Sequence, residues 1–176
     1  MAVSAATSES DMARQLYLLA FGSNRRHHRF GRPRDVMGAA SVELDRAGIR
    51  ILRAGRLLHS RPLGPSRRTY ANSVVLAESS LEPEEMLALL KRIEREFGRR
   101  RGGQRWAARV LDLDIVLWSG GAWSSPRLTI PHPQFRERDF VLRPASEVSP
   151  RWRDPVTGLT VRQLKARLTA PRPLSR

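Results

Sequence analysis

Apolar residues and aspartates alternate in Leu111-Asp112-Leu113-Asp114-Ile115, a pattern that folds as a strand with one greasy face and one face carrying two carboxylates. In a strand, residues two apart point the same way and lie about 6.6 to 7 Å apart. The pair can therefore share hard cations, which take oxygen ligands. Arg101, Arg105 and Arg109 stand just before it. Carboxylates able to hold a metal, beside guanidinium groups that need an anion, make a site for metal plus polyphosphate. A half-buried strand whose aspartates simply face solvent shows the same alternation, so the rest of the chain has to decide between the two.

A chain of 176 residues, 40% of them hydrophobic, can build one domain with a real core. There is no cysteine, which excludes disulfides, thiolate metal sites and a cysteine nucleophile. No run approaches membrane-spanning length. The first dozen residues have neither a basic start nor an apolar centre, so they do not read as a signal peptide, and the cytoplasm is the expected compartment. The net charge of +15, from 32 Lys plus Arg against 17 Asp plus Glu, calls for an anionic partner. RNA and a small phosphate ligand both satisfy that requirement. Only 6% of residues are aromatic and no aromatic-rich RNA-binding motif occurs.

Residues 16–21 read as a buried strand that stops at the turn Gly22-Ser23-Asn24. Val36, Ala40 and Leu44 recur at helical spacing, with Gly48 placed to end the helix. A second strand is expected from Ile49 to about His59 and a third from Tyr70 to Ala77, as a hairpin-like pair. Pro83, Glu84 and Glu85 open the clearest helix, whose apolar face is Met86, Leu89 or Leu90, Ile93 and Phe97, and Gly98 ends it. A basic loop, 99–103, precedes the strand Val110–Trp118 and a turn at Gly120-Gly121. Strand, helix, strand, strand, helix, strand is the ferredoxin-like βαββαβ order, so the expected fold class is an α+β sandwich with additional segments after residue 120. Residues 1–14 read as a disordered extension, 15–168 as one domain and 169–176 as a flexible tail.

Four segments are more specific: Gly22-Ser23-Asn24; Arg61-Pro62-Leu63-Gly64-Pro65 leading to Tyr70-Ala71-Asn72; the block from Arg105-Trp106 to Asp114-Ile115; and Leu128-Thr129-Ile130-Pro131-His132-Pro133 with Arg138-Asp139-Phe140. Together they resemble the 6-hydroxymethyl-7,8-dihydropterin pyrophosphokinases over roughly residues 15–165. That resemblance implies a diphosphotransferase of folate biosynthesis. It would use ATP with two magnesium ions, move a pyrophosphoryl group to the hydroxymethyl oxygen of 6-hydroxymethyl-7,8-dihydropterin, and release AMP. No protein partner and no nucleic acid would be needed.

By the same resemblance, Asp112 and Asp114 match the magnesium ligands, and Arg101 and Arg109 join them as catalytic residues. Glu94, Arg101, Arg105, Arg109, Ile115, Arg127, Thr129, His132 and Arg138 match nucleotide contacts. Ser60, Pro62, Leu63, Tyr70, Asn72, Trp106 and Phe140 match the pterin pocket. The chemistry of the residues agrees. Tyr70 and Asn72, two apart on a strand, share a face, and an amide offers a donor and an acceptor to a heterocycle's edge while rings stack on its faces. Each residue also has a plainer reading, core packing for Tyr70 and Phe140, a structural histidine for His132 and an exposed helix carboxylate for Glu94. Gly102-Gly103 and the arginines suggest a loop that closes over bound phosphate. Three features depart from the family's pattern: Arg61 stands where proline is common, Lys91 where glutamine is common, and Arg25-Arg26-His27-His28-Arg29 follows Gly22-Ser23-Asn24 where a leucine-containing stretch is usual. A ferredoxin-like RNA-binding module, relying on charge alone, is the competing reading.

Overall fold

The structure, a computed structural model, describes residues 14–60, 69–98 and 110–171. The expected N-terminal extension up to residue 13, the segments 61–68 and 99–109, and residues 172–176 of the expected tail lie outside the described residues.

The strand β1 (Gln15–Ser23) is the axis of the sheet, because its apolar residues are buried on both faces. It pairs antiparallel with β4 (Tyr70–Ser79) on one side and β5 (Asp112–Trp118) on the other. Two further strands, β2 (Arg50–Ala54) and β3 (Leu58–Ser60), pair antiparallel with the far edge of β4, giving the order β2-β4-β1-β5. Side chains alternate across a strand. Tyr17, Leu19 and Phe21 accordingly pack with Val36, Ala40 and Leu44 of α1 (Pro33–Arg46) and Met86, Leu90 and Ile93 of α2 (Pro83–Glu96). Leu18 points the other way, into Val141, Leu142 and Ala145 of α3 (Asp139–Val148) and Leu164 of α4 (Val161–Thr169). Each such side chain contributes about 1.5 to 3 kcal/mol when fully buried, so a charge at either Leu18 or Leu19 would open one of the two cores.

Local chemistry sets the helix starts. Pro33 and Pro83 occupy first helical positions, where a missing N–H costs nothing. Asp35 accepts the Arg32 N–H at 3.1 Å and Glu85 the Glu82 N–H at 2.9 Å. Gly48 and Gly98 follow α1 and α2 with φ of 82° and 87°, a conformation that favours glycine.

The expected elements are present, with two corrections, the first being that Gly22 and Ser23, expected in a turn, are the last residues of β1. The single strand expected from 49 to 59 is two strands, because the chain must pass close to α3 at Gly55. A Cβ there would lie 2.8 Å from Pro144 Cβ and 2.9 Å from its carbonyl oxygen. The segments after residue 120 form a small hairpin of β6 (Trp123–Ser124) and β7 (Thr129–Ile130), a 3-10 helix at Phe135–Glu137, and the helices α3 and α4, which cover the second face of the sheet. The result is a mixed α/β architecture with an antiparallel sheet. No helix among the described residues is long and apolar enough to cross a membrane.

Candidate active site

The site begins with a row of residues at one end of the sheet. Leu58 and Gly22 are both cross-strand partners of Asn72, and Gly22 is also the partner of Asp112. Two residues along β1, Ala20 is opposite Asp114. Paired residues share a face, so Asn72, Gly22, Asp112, Ala20 and Asp114 all lie on the side covered by α3. Helix α3 starts at Asp139, with Phe140 in its first turn. The glycine matters because it has no side chain: a Cβ would stand 3.6 Å from Asn72 Oδ1 and 3.7 Å from Asp112 Cβ. Position 22 is the gap between the amide and the carboxylate.

At the β3–β4 side, Ser60 is opposite Tyr70, and Asn72 Nδ2 donates to Ser60 Oγ at 2.7 Å. Asn72 is buried and Tyr70 partly so. Three residues expected to line one pocket, Ser60, Tyr70 and Asn72, are thus brought together. Phe140 is half-buried against the second core, with the Arg138 guanidinium 5.8 Å from its ring centroid.

At the β5 side, Asp112 and Asp114 are half-buried, as the alternating pattern requires. His132 reaches them from the segment after β7: its backbone N–H donates to the Val116 carbonyl at 3.0 Å, and Nε2 lies 4.0 Å from Asp114 Oδ2. The Gln134 N–H donates to Nδ1 at 3.2 Å, which leaves Nε2 as the protonated nitrogen of the neutral ring. Burial lowers the His132 pKa from its ordinary 6.5; Asp114 and Asp112 pull it up and Arg138 pushes it down, and the net shift is downward. The imidazole is therefore neutral at pH 7, a hydrogen-bond donor and not a cation.

Ile115 is a core residue on the helix face, so its side chain points away from the aspartates. Arg127 and Thr129 are exposed, the latter on β7. Glu94 corrects the plainer reading of that position, because it is not an exposed helix carboxylate. It is buried on α2, where Oε1 accepts the Leu113 N–H and the Lys91 ammonium, both at 2.8 Å. Arg101, Arg105, Trp106, Arg109, Pro62 and Leu63 lie outside the described residues. Gly22, expected in a strand-ending turn, lies within β1, and a glycine inside a strand pattern marks a close approach. The Lys91–Glu94 pair is legible only from its three-residue helical spacing.

The donor set suits a hard cation that arrives with phosphates. Among the described residues no group of three or more His, Cys, Asp and Glu could hold a metal by itself. Two neighbouring carboxylates supply part of an octahedral shell, and magnesium sites of this kind take their remaining ligands from phosphate and water.

The family model for 7,8-dihydro-6-hydroxymethylpterin-pyrophosphokinase (HPPK) matches residues 18–150, which contain every one of these elements except α4 and the first residues of β1. The chain belongs to this family. It is 36% identical over 146 residues to the 2-amino-4-hydroxy-6-hydroxymethyldihydropteridine pyrophosphokinase of Pseudomonas aeruginosa, covering 82% of this chain and 86% of that one. Relatives of the same description from Synechocystis sp. and Haemophilus influenzae are 43% and 44% identical. Those alignments cover 67% and 51% of this chain, and they span only 60% and 56% of the relatives' own lengths. A crystal structure of Plasmodium falciparum HPPK-DHPS superposes with a TM-score of 0.67 at 12% identity, covering 90% of this chain and 42% of that one. At that identity the likeness concerns the HPPK fold alone.

Proposed function

We propose that this protein catalyses ATP-dependent pyrophosphoryl transfer to the hydroxymethyl group of 6-hydroxymethyl-7,8-dihydropterin, releasing AMP, as a step of folate biosynthesis. The observation that carries the reading is the cross-strand row Asn72, Gly22, Asp112, which sets an amide suited to a heterocycle edge beside a carboxylate suited to a metal–phosphate complex. In the transfer, the pterin hydroxyl oxygen forms a bond to the β-phosphorus of ATP and loses its proton to solvent, while the bond from that phosphorus to the α,β-bridging oxygen breaks and AMP leaves.

On this reading Ser60 and Asn72 hold the pterin edge, with Tyr70 and Phe140 against its faces. Asp112 and Asp114 hold two magnesium ions, which when bound neutralise charge on the phosphates. The chain's own residues supply positioning, the largest part of what such a transfer needs. Neutral His132 offers its Nε2–H toward the phosphate region, and Arg138 and Arg127 add positive charge. Glu94, Ile115 and Thr129 are assigned to the nucleotide side, Ile115 through its backbone. Arg101, Arg105 and Arg109 are assigned to the phosphates, and Trp106, Pro62 and Leu63 to the pterin pocket, on family resemblance. The order β2-β4-β1-β5, with α1 and α2 connecting its strands on one face, supports a ferredoxin-like reading of the core.

The test is turnover. AMP should form from ATP only when the pterin alcohol and magnesium are both present. Salt-sensitive oligonucleotide binding without turnover would instead favour the RNA-binding alternative, which finds no support in the family matched.

A further inference from the structure

Strand β5 stands at the edge of the sheet and pairs only with β1 among the described residues. The backbone groups of Leu113, between the two aspartates, therefore point outward, where an edge strand is ordinarily open. Helix α2 closes that edge. Glu94 Oε1 accepts the Leu113 N–H at 2.8 Å, and the Lys91 ammonium donates to the Leu113 carbonyl at 3.2 Å and to Glu94 Oε1 at 2.8 Å. The same ammonium lies 3.9 Å from Asp114 Oδ1. Glu94 is wholly buried, and a buried carboxylate needs a paired charge. Lys91, partly exposed, supplies it from one helical turn away.

We propose that Lys91 and Glu94 form a clamp on β5 that fixes Asp112 and Asp114 in place, with Lys91 as a positioning residue and not a nucleotide contact. The proposal rests on the assignment of the two aspartates to the metal–phosphate complex. A lysine at this position does what a glutamine would not: it charge-pairs with Glu94 and stands beside Asp114 while reaching the Leu113 carbonyl. Rotation of β5 about its own axis would swing both carboxylates, and the clamp acts at the residue midway between them.

Hydrogen exchange in the metal-free protein tests the clamp directly. Lys91→Met should speed exchange of the Leu113 amide at least tenfold while Leu19, in the sheet centre, keeps its protection. Lys91→Arg should stay within threefold of the parent protein. In the loaded enzyme, Lys91→Met should lower kcat at least tenfold while the KM for the pterin and the affinity for α,β-methylene-ATP with magnesium stay within threefold, and Lys91→Arg should restore kcat. The double variant Lys91→Met/Glu94→Gln, neutral at both positions, serves as the second arm and should show the same kcat loss. Unchanged Leu113 exchange in Lys91→Met overturns the clamp. A loss of analogue affinity equal to the loss of kcat overturns the positioning role in favour of direct nucleotide contact. If instead the parent protein makes no AMP while Leu113 exchange responds as expected, the clamp stands and the proposed activity is what fails.

Discussion

Asn72 and Asp112 are cross-strand partners of the same residue, Gly22, and so stand on opposite sides of β1 at one level of the sheet. Two strand spacings separate them, roughly 9.5 Å. Filling the gap is therefore a sharper probe than removing either neighbour. Gly22 does not have a positive φ, so a side chain there meets no backbone strain. Gly22→Ala places a methyl at ordinary contact distance from both residues and should change activity little. Gly22→Val pushes two methyls into the gap and should lower kcat/KM for the pterin at least tenfold with thermal stability nearly unchanged. Equal, parent-like activity in both variants would show that nothing binds across this gap.

The pterin side and the nucleotide side should separate. Asn72→Ala removes the donor to Ser60 and the amide proposed for the heterocycle, at about 1 to 3 kcal/mol. Phe140→Ala removes a ring proposed to stack, at about 0.5 to 1.5 kcal/mol beyond its buried area. Calorimetry should find pterin binding weakened in both and α,β-methylene-ATP binding nearly unchanged. Equal losses for the two ligands would place these residues in the structural core.

Acid stability should depend on Asp154. Its buried carboxylate accepts Arg136 Nε and Nη2, each at 2.7 Å, and the Thr157 hydroxyl at 2.5 Å, tying the 3-10 helix after His132 to the loop before α4. Burial alone would raise its pKa, but these hydrogen bonds and the Arg136 charge outweigh burial and hold it below the ordinary 3.8. A depressed folded pKa stabilises the protein above the unfolded value and loses that contribution as pH falls through the folded one. The window is thus below about pH 4. Asp154→Asn should cost about 3 kcal/mol at neutral pH, the lower end for a broken buried pair because Arg136 is partly exposed. The gap in denaturant midpoint between parent and variant should narrow below pH 4, whereas parallel curves down to pH 2 would show that the carboxylate's ionisation does not matter.

Much of this was legible in the chain. The continuous apolar run Leu16–Phe21, the alternation in Leu111–Ile115 and the stripe Met86, Leu90, Ile93 are strong local signals. Tyr70 and Asn72 share a face by their spacing, Ser60 joins them only through the family resemblance, and the three are neighbours across β3 and β4. What escaped depends on contacts between distant segments. The break at Gly55 is imposed by Pro144, nearly ninety residues later in the chain. Glu94 looks exposed in a charged helix until β5 places the Leu113 N–H against it. The second core needs α3 and α4, whose apolar residues gain their meaning only once Leu18 and Val74 are known to face them.

Asp112 and Asp114 are proposed to support transfer of a pyrophosphoryl group to the pterin. Phosphorus NMR of a reaction containing ATP, magnesium and 6-hydroxymethyl-7,8-dihydropterin tests it most directly. The parent protein should yield AMP and a pterin carrying two phosphorus atoms. Asp112→Asn and Asp114→Asn, folded as judged by circular dichroism, should each lose at least a hundredfold in rate, of the order of 3 to 4 kcal/mol for one preorganised electrostatic group. ADP as the nucleotide product would rule out pyrophosphoryl transfer, and parent-like AMP formation in either variant would rule out the role of the two aspartates.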